Sequence, residues 1–122
     1  MFRRIFLVSA TTLMTLRALA AAPPLHEQTR IEKLIRFVET QKDMKFIRNG
    51  TEYSCAEAGK FLRGKLDSMG NDVTTAREFI ERIATKSSMS GKFYEVKFGD
   101  GKTMLASHFL TEELKRLEAQ PA

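Results

Sequence analysis

The chain has 122 residues, with 20 Lys+Arg against 15 Asp+Glu, two histidines and one cysteine. That length holds one small domain, and a lone cysteine forbids an internal disulfide, so a hydrophobic core must carry the fold unaided. The basic excess sits at the amino terminus: without Arg3, Arg4 and Arg17 the balance is 17 against 15, and later segments mix both signs, which argues against nucleic acid as a partner.

Residues 1–22 read as an export signal. Arg3 and Arg4 give the positive start, and Ile5 to Leu16 form an apolar run too short to span a bilayer. Ala18 and Ala20 supply an A-x-A pattern, which predicts cleavage after Ala20 or Ala22 and a mature chain opening near Pro23. The competing reading is an uncut amino-terminal anchor. No cysteine follows the apolar run to take a lipid, and no second long apolar run exists, so membrane contact is expected only during export.

Residues 23–122 are expected to form a single domain. From His26 to Lys42, apolar residues at Ile31, Leu34, Ile35 and Val38 predict an amphipathic helix, with Glu32 and Arg36 paired on its wet side. Asn49-Gly50 is a strong two-residue hairpin signal, because a type I′ turn needs positive φ at both positions. Pairing across it sets Phe46 opposite Tyr53. Ser54 and Glu57 have capping-box spacing and open a second helix. Its predicted stripe runs through Cys55, Ala58/Gly59, Leu62, Leu66 and Met69, and Gly70-Asn71-Asp72 end it.

A third helix is predicted from Thr75, with Glu78 three later, burying Ala76, Phe79, Ile80 and Ile83. Arg77–Glu81 and Glu78–Arg82 are its expected ion pairs. Thr85 to Lys92 form a polar loop. Tyr94, Val96 and Phe98 then alternate on one face, Asp100-Gly101 turns the chain, and Leu105 is expected back on that face. A last helix, about Ser107 to Ala119, carries Leu110, Leu114 and Leu117. The fold class is therefore α+β: four helices with two short β-hairpins in the order helix-hairpin-helix-helix-hairpin-helix, the ribbons joining in one small antiparallel sheet.

Chemistry-bearing residues are few. Cys55 starts the helix stripe without a second cysteine or a nearby histidine, and reads as a structural thiol, a small buried hydrophobe. The runner-up makes it the nucleophile or redox centre of a small enzyme, since a helix start lowers a thiol's pKa. His26, His108 and Cys55 show no metal-ligand spacing, and no cofactor motif is present. "SSMSGK" from Ser87 lacks both an S-x-x-K and the leading glycine of a phosphate loop. As a connector it is a solvated turn; as a site it offers hydroxyls from Ser87, Ser88 and Ser90 and backbone from Gly91. Asn49-Gly50-Thr51 is formally a glycosylation acceptor, but the turn explains it. Arg48, Arg63 and Lys65 would make a small anion site if the first hairpin packs on the second helix; a solvated charged face is the competing reading.

Phe46 to Gly50 ("FIRNG"), Cys55 with Ala58, Leu62-Arg63 with Lys65, and Ser87 to Lys92 followed by Tyr94 and Val96 together resemble the YfeK-like family (domain of unknown function 5329). The resemblance covers nearly all of the mature chain. It implies a periplasmic, single-domain protein of Gram-negative bacteria and supplies no activity, substrate or catalytic residue. Phe93 stands where relatives often carry proline, and Phe61 where a relative has histidine, which removes a partner for Cys55. The expected function is that of a non-enzymatic interaction module binding a periplasmic protein, peptide or envelope component. Its expected contacts are Arg48, Asn49, Arg63, Lys65, Ser87, Ser88, Ser90, Gly91 and Tyr94.

Overall fold

The structure, a computed structural model, describes residues 25–120. The export signal and its cleavage sites lie outside the described residues. In chain order the elements are α1 (Leu25–Glu39), β1 (Met44–Arg48), β2 (Thr51–Ser54), α2 (Cys55–Met69), α3 (Ala76–Arg82), β3 (Glu95–Phe98), β4 (Thr103–Leu105) and α4 (Ala106–Glu118). Both hairpins join one four-stranded antiparallel sheet in the order β2-β1-β3-β4. The result is the α+β architecture with the expected element order.

The sheet buries one face. Met44 and Phe46 on β1 and Val96 on β3 point into the core, while Lys45 on β1 is exposed. Helices cover that face with Leu34, Ile35 and Val38 of α1, Leu62 of α2, Phe79 and Ile80 of α3, and Leu110 and Leu114 of α4. Each such side chain removed from water contributes roughly 1.5–3 kcal/mol, which is how a chain without a disulfide holds together. Between layers, Phe109 stacks on Phe37 at 5.1 Å and meets Phe98 at 6.0 Å.

Local chemistry sets the boundaries. Asn49 and Gly50 have φ of 52° and 78°, the left-handed pair of a type I′ turn, and Phe46 faces Tyr53. Ser54 accepts a hydrogen bond from the Glu57 amide while the Glu57 carboxylate accepts from the Ser54 amide, a complete capping box. At α3, Thr75 Oγ accepts from the Glu78 amide, and Glu27 of α1 accepts from the Ala76 amide at 2.8 Å. One carboxylate thus joins the start of α3 to α1.

Four expectations need correction. The first helix ends at Glu39 rather than Lys42, and Asp43 turns the chain with φ 55°. On α2 the buried positions are Cys55, Ala58, Gly59, Leu62 and Lys65; Leu66 is only partly covered and Met69 is half exposed. The stripe therefore leaves the Leu66–Met69 edge and passes through a lysine. The second hairpin turns through three residues, not two: the Phe98 amide bonds Lys102 O at 2.8 Å and the Gly101 amide bonds Phe98 O at 2.9 Å. The extra residue shifts the register by one, so Met104 pairs with Val96, and Leu105 pairs with Glu95 and is exposed. Lastly, Glu78–Arg82 is present at 3.9 Å, but Arg77 reaches across to Glu118 of α4 at 3.8 Å.

Candidate functional site

Two periodicities meet at one end of the core. Along β1 the period of two that buries Met44 and Phe46 brings Arg48 to the same face of the sheet. Along α2, Phe61 and Lys65 lie one turn apart and cover that end. The Arg48 guanidinium lies over the Phe61 ring at 4.3 Å and over the Tyr53 ring at 5.1 Å, and donates a long hydrogen bond to Tyr53 Oη at 3.4 Å. With the two rings beside it and Nη2 directed to the Tyr53 phenol, the guanidinium keeps further N–H groups that no carboxylate among the described residues takes.

Lys65 is 7% exposed. Its ammonium donates to Lys86 O at 2.8 Å and to Tyr94 Oη at 3.0 Å, both neutral acceptors, and sits 4.9 Å from the Tyr94 ring. Burial, and then the nearby positive charge of Arg48, push the Lys65 pKa down. Tyr94 is itself fully buried, wedged between Phe46 at 5.4 Å and Phe61 at 5.5 Å, and burial pushes its phenol pKa up.

The serine loop closes the site from the other side. Lys86 bridges to Phe93, the Ser87 amide donates to Lys92 O at 2.9 Å, and the Gly91 amide donates to Ser87 O at 3.0 Å with Gly91 at φ 75°. Ser87 is buried, and its hydroxyl accepts from the amides of Met89 and Ser90. Ser90 Oγ donates to Asn49 Oδ1 at 2.5 Å, tying the loop to the tip of the first hairpin. Ser88 is exposed and donates to Met69 Sδ at 3.5 Å. Met89, at the loop tip, is 97% exposed.

Between these walls lies an open groove of about 490 Å³, with Arg48, Asn49, Lys65, Ser87, Ser88 and Tyr94 in its lining. A neighbouring hollow of about 320 Å³ shares Arg48 and Phe61 as lining. Of the nine residues expected from sequence, six therefore meet in one groove, and Ser90 and Gly91 shape the loop beside it. Arg63 does not join them. Its guanidinium grips Glu32 at 2.7 and 2.8 Å and Glu39 at 3.1 and 3.2 Å, clamping α2 to α1. Those hydrogen bonds hold the Glu32 carboxyl below its ordinary range. Phe61, Met69 and Met89 line the groove and were not expected there. Phe61 carried a signal, since it precedes Lys65 by one helical turn; Met89 carried none beyond being an apolar residue among serines.

A family model described as "Family of unknown function (DUF5329)" matches residues 25–118. The chain belongs to that family. The DUF5329 match begins with α1 and ends with α4, so it spans the whole domain described above. Over 69 residues the chain is 41% identical to "Uncharacterized protein YfeK" of Salmonella typhimurium (strain LT2). That stretch is 57% of this chain and 58% of the relative, so the chain spans little more than half of the relative's length. No solved structure matches.

The thiol of this DUF5329 domain lies apart from the groove. Cys55 is buried, donates its S–H to Met44 O at 3.2 Å, and has its pKa pushed up by burial. Among the described residues no group of three or more His, Cys, Asp and Glu side chains is placed to hold a metal ion, and no helix is long and apolar enough to cross a membrane. The groove thus brings together two cations, Arg48 and Lys65, a serine-loop wall whose polar groups are largely spent on its own hydrogen bonds, and the exposed Met69 and Met89.

Proposed function

We propose that this DUF5329 protein is a non-enzymatic interaction module of the periplasm, holding a protein, peptide or envelope component in the groove between the Asn49-Gly50 turn, α2 and the serine loop. The observation that carries the reading is the loop itself. Ser87, Ser90 and Gly91 consume their own polar groups to hold it in shape, and the shape presents Met89 almost wholly to water. An apolar side chain held out on a rigid turn, above a groove of ligand size, is an arrangement that packing within the domain does not require. The competing thiol reading needs a reactive thiolate, and burial of Cys55 acts against one.

The test is site-directed photocrosslinking in living cells. A photoreactive residue at Met89 is expected to yield discrete adducts, which fade when Arg48 is changed to Gln. The same group at the exposed Lys102, next to the turn of the second hairpin, is expected to yield none. Identical adducts from both positions, or none from Met89, would remove the groove as the working surface.

A further inference from the structure

Charge accounting singles out one arginine. Seven arginines fall among the described residues, and six of them pair with a carboxylate: Arg30, Arg36, Arg63, Arg77, Arg82 and Arg116. Arg48 pairs with none; its polar partner is the Tyr53 phenol. Lys65, buried beside it, also has only neutral oxygens as partners. Both side chains line the same groove, whose lining among the described residues contains no Asp or Glu, so the folded domain holds two cations there without a counter-charge, and the charge of Arg48 adds to burial in lowering the Lys65 pKa. Leaving such charges partly desolvated costs stability unless something anionic arrives.

We propose that the groove binds the free carboxyl terminus of a peptide whose last side chain is large and apolar. This rests on the interaction reading above and names its ligand. The carboxylate takes the N–H groups of Arg48 that Tyr53 leaves unused, beside the Phe61 and Tyr53 rings, with the Lys65 ammonium as second cation. The last side chain lies against Met69 and Met89 on the rim. A chain terminus fits better than an acidic residue inside a chain. Charge sits at the floor and apolar surface at the rim, and only a terminal residue carries a main-chain carboxylate and a side chain on the same carbon. The groove's volume, about 490 Å³, suits one or two residues rather than a long segment.

The experiment titrates isotope-labelled protein, purified as the cell makes it, with N-acetyl-alanyl-alanyl-leucine, and follows the Arg48 side-chain and Met89 backbone signals by NMR. Saturable shifts at both are expected. The carboxamide of the same peptide should bind at least about tenfold more weakly, as loss of a charge-assisted contact predicts. Arg48→Gln should weaken the acid by a similar factor. Should that variant fail to fold, Ser88→Glu adds a negative charge to the exposed rim and should also weaken the acid while sparing the amide. Equal binding of acid and amide, competition by inorganic phosphate at the peptide's own concentration, or preference for an internal glutamate in an amidated peptide would each overturn the proposal. If the acid fails to bind while Met89 crosslinks persist in cells, the carboxylate inference falls and the interaction reading stands. Loss of both removes both.

Discussion

At the scale of single residues the domain separates two uses of positive charge. Arg63 is neutralised twice over by Glu32 and Glu39 and serves as a clamp between helices. Lys65 is buried with no carboxylate beside it, so its charge is tolerated rather than stabilising. That has a pH signature with a definite sign. The folded-state pKa of Lys65 is lowered, so between that value and its unfolded pKa the unfolded chain binds more protons, and stability rises with pH. Relative to Lys65→Met, the wild-type protein should gain unfolding free energy as pH rises toward the ordinary lysine pKa, measured by urea titration at a series of pH values. A pH-independent difference between the two would mean that the lysine titrates as in water. The burial of Lys65 was legible in principle: Cys55, Ala58, Leu62 and Lys65 lie at steps of three, four and three. An alternative stripe through Leu66 and Met69 competed with it, and hydrophobicity alone favoured the wrong edge. What decided was Tyr94 and Lys86 O waiting across the core, which no local pattern reveals.

At the scale of elements, most of the fold was readable because short-range rules specify it. The Asn49-Gly50 turn, the Ser54–Glu57 box and the Thr75 cap each fix a boundary through contacts within four residues. The second hairpin was misread because Gly99 belongs to its turn as well. Glycine at Gly101 is needed there, with φ at 88°. Gly64 on α2 is different: a methyl group added there meets nothing within 4 Å, and its helical backbone has no need of glycine. Two Gly→Ala changes should therefore act in opposite directions. Gly64→Ala should stabilise the domain by about 0.5–1 kcal/mol, as alanine does in an exposed helix interior. Gly101→Ala should destabilise it by about 1–2 kcal/mol from left-handed strain alone, since space there is also open. Denaturant midpoints of the two variants at neutral pH make the comparison, and a shift of the same sign in both would refute the turn assignment.

For the molecule as a whole, architecture followed from element order, while the groove came from a convergence that element order does not encode. Nothing in the spacing of Asn49 and Ser90 announces that they touch, yet that contact decides which loop faces which turn. Export is the remaining whole-molecule expectation, and Ala20 makes it sharply testable. Cleavage after Ala20 puts that alanine at the cut, and cleavage after Ala22 puts it two residues before the cut-site residue; both positions demand a small side chain. A single change, Ala20→Leu, should therefore block both routes at once, without touching the domain that begins at Leu25. In a Gram-negative host, wild-type protein released by osmotic shock should begin at Ala21 or Pro23 by amino-terminal sequencing. The variant should stay membrane-associated and retain Met1. Wild-type protein recovered with Met1 intact and bound to membrane would instead make residues 1–22 a permanent anchor, and the groove would then work on a tethered molecule rather than a free one.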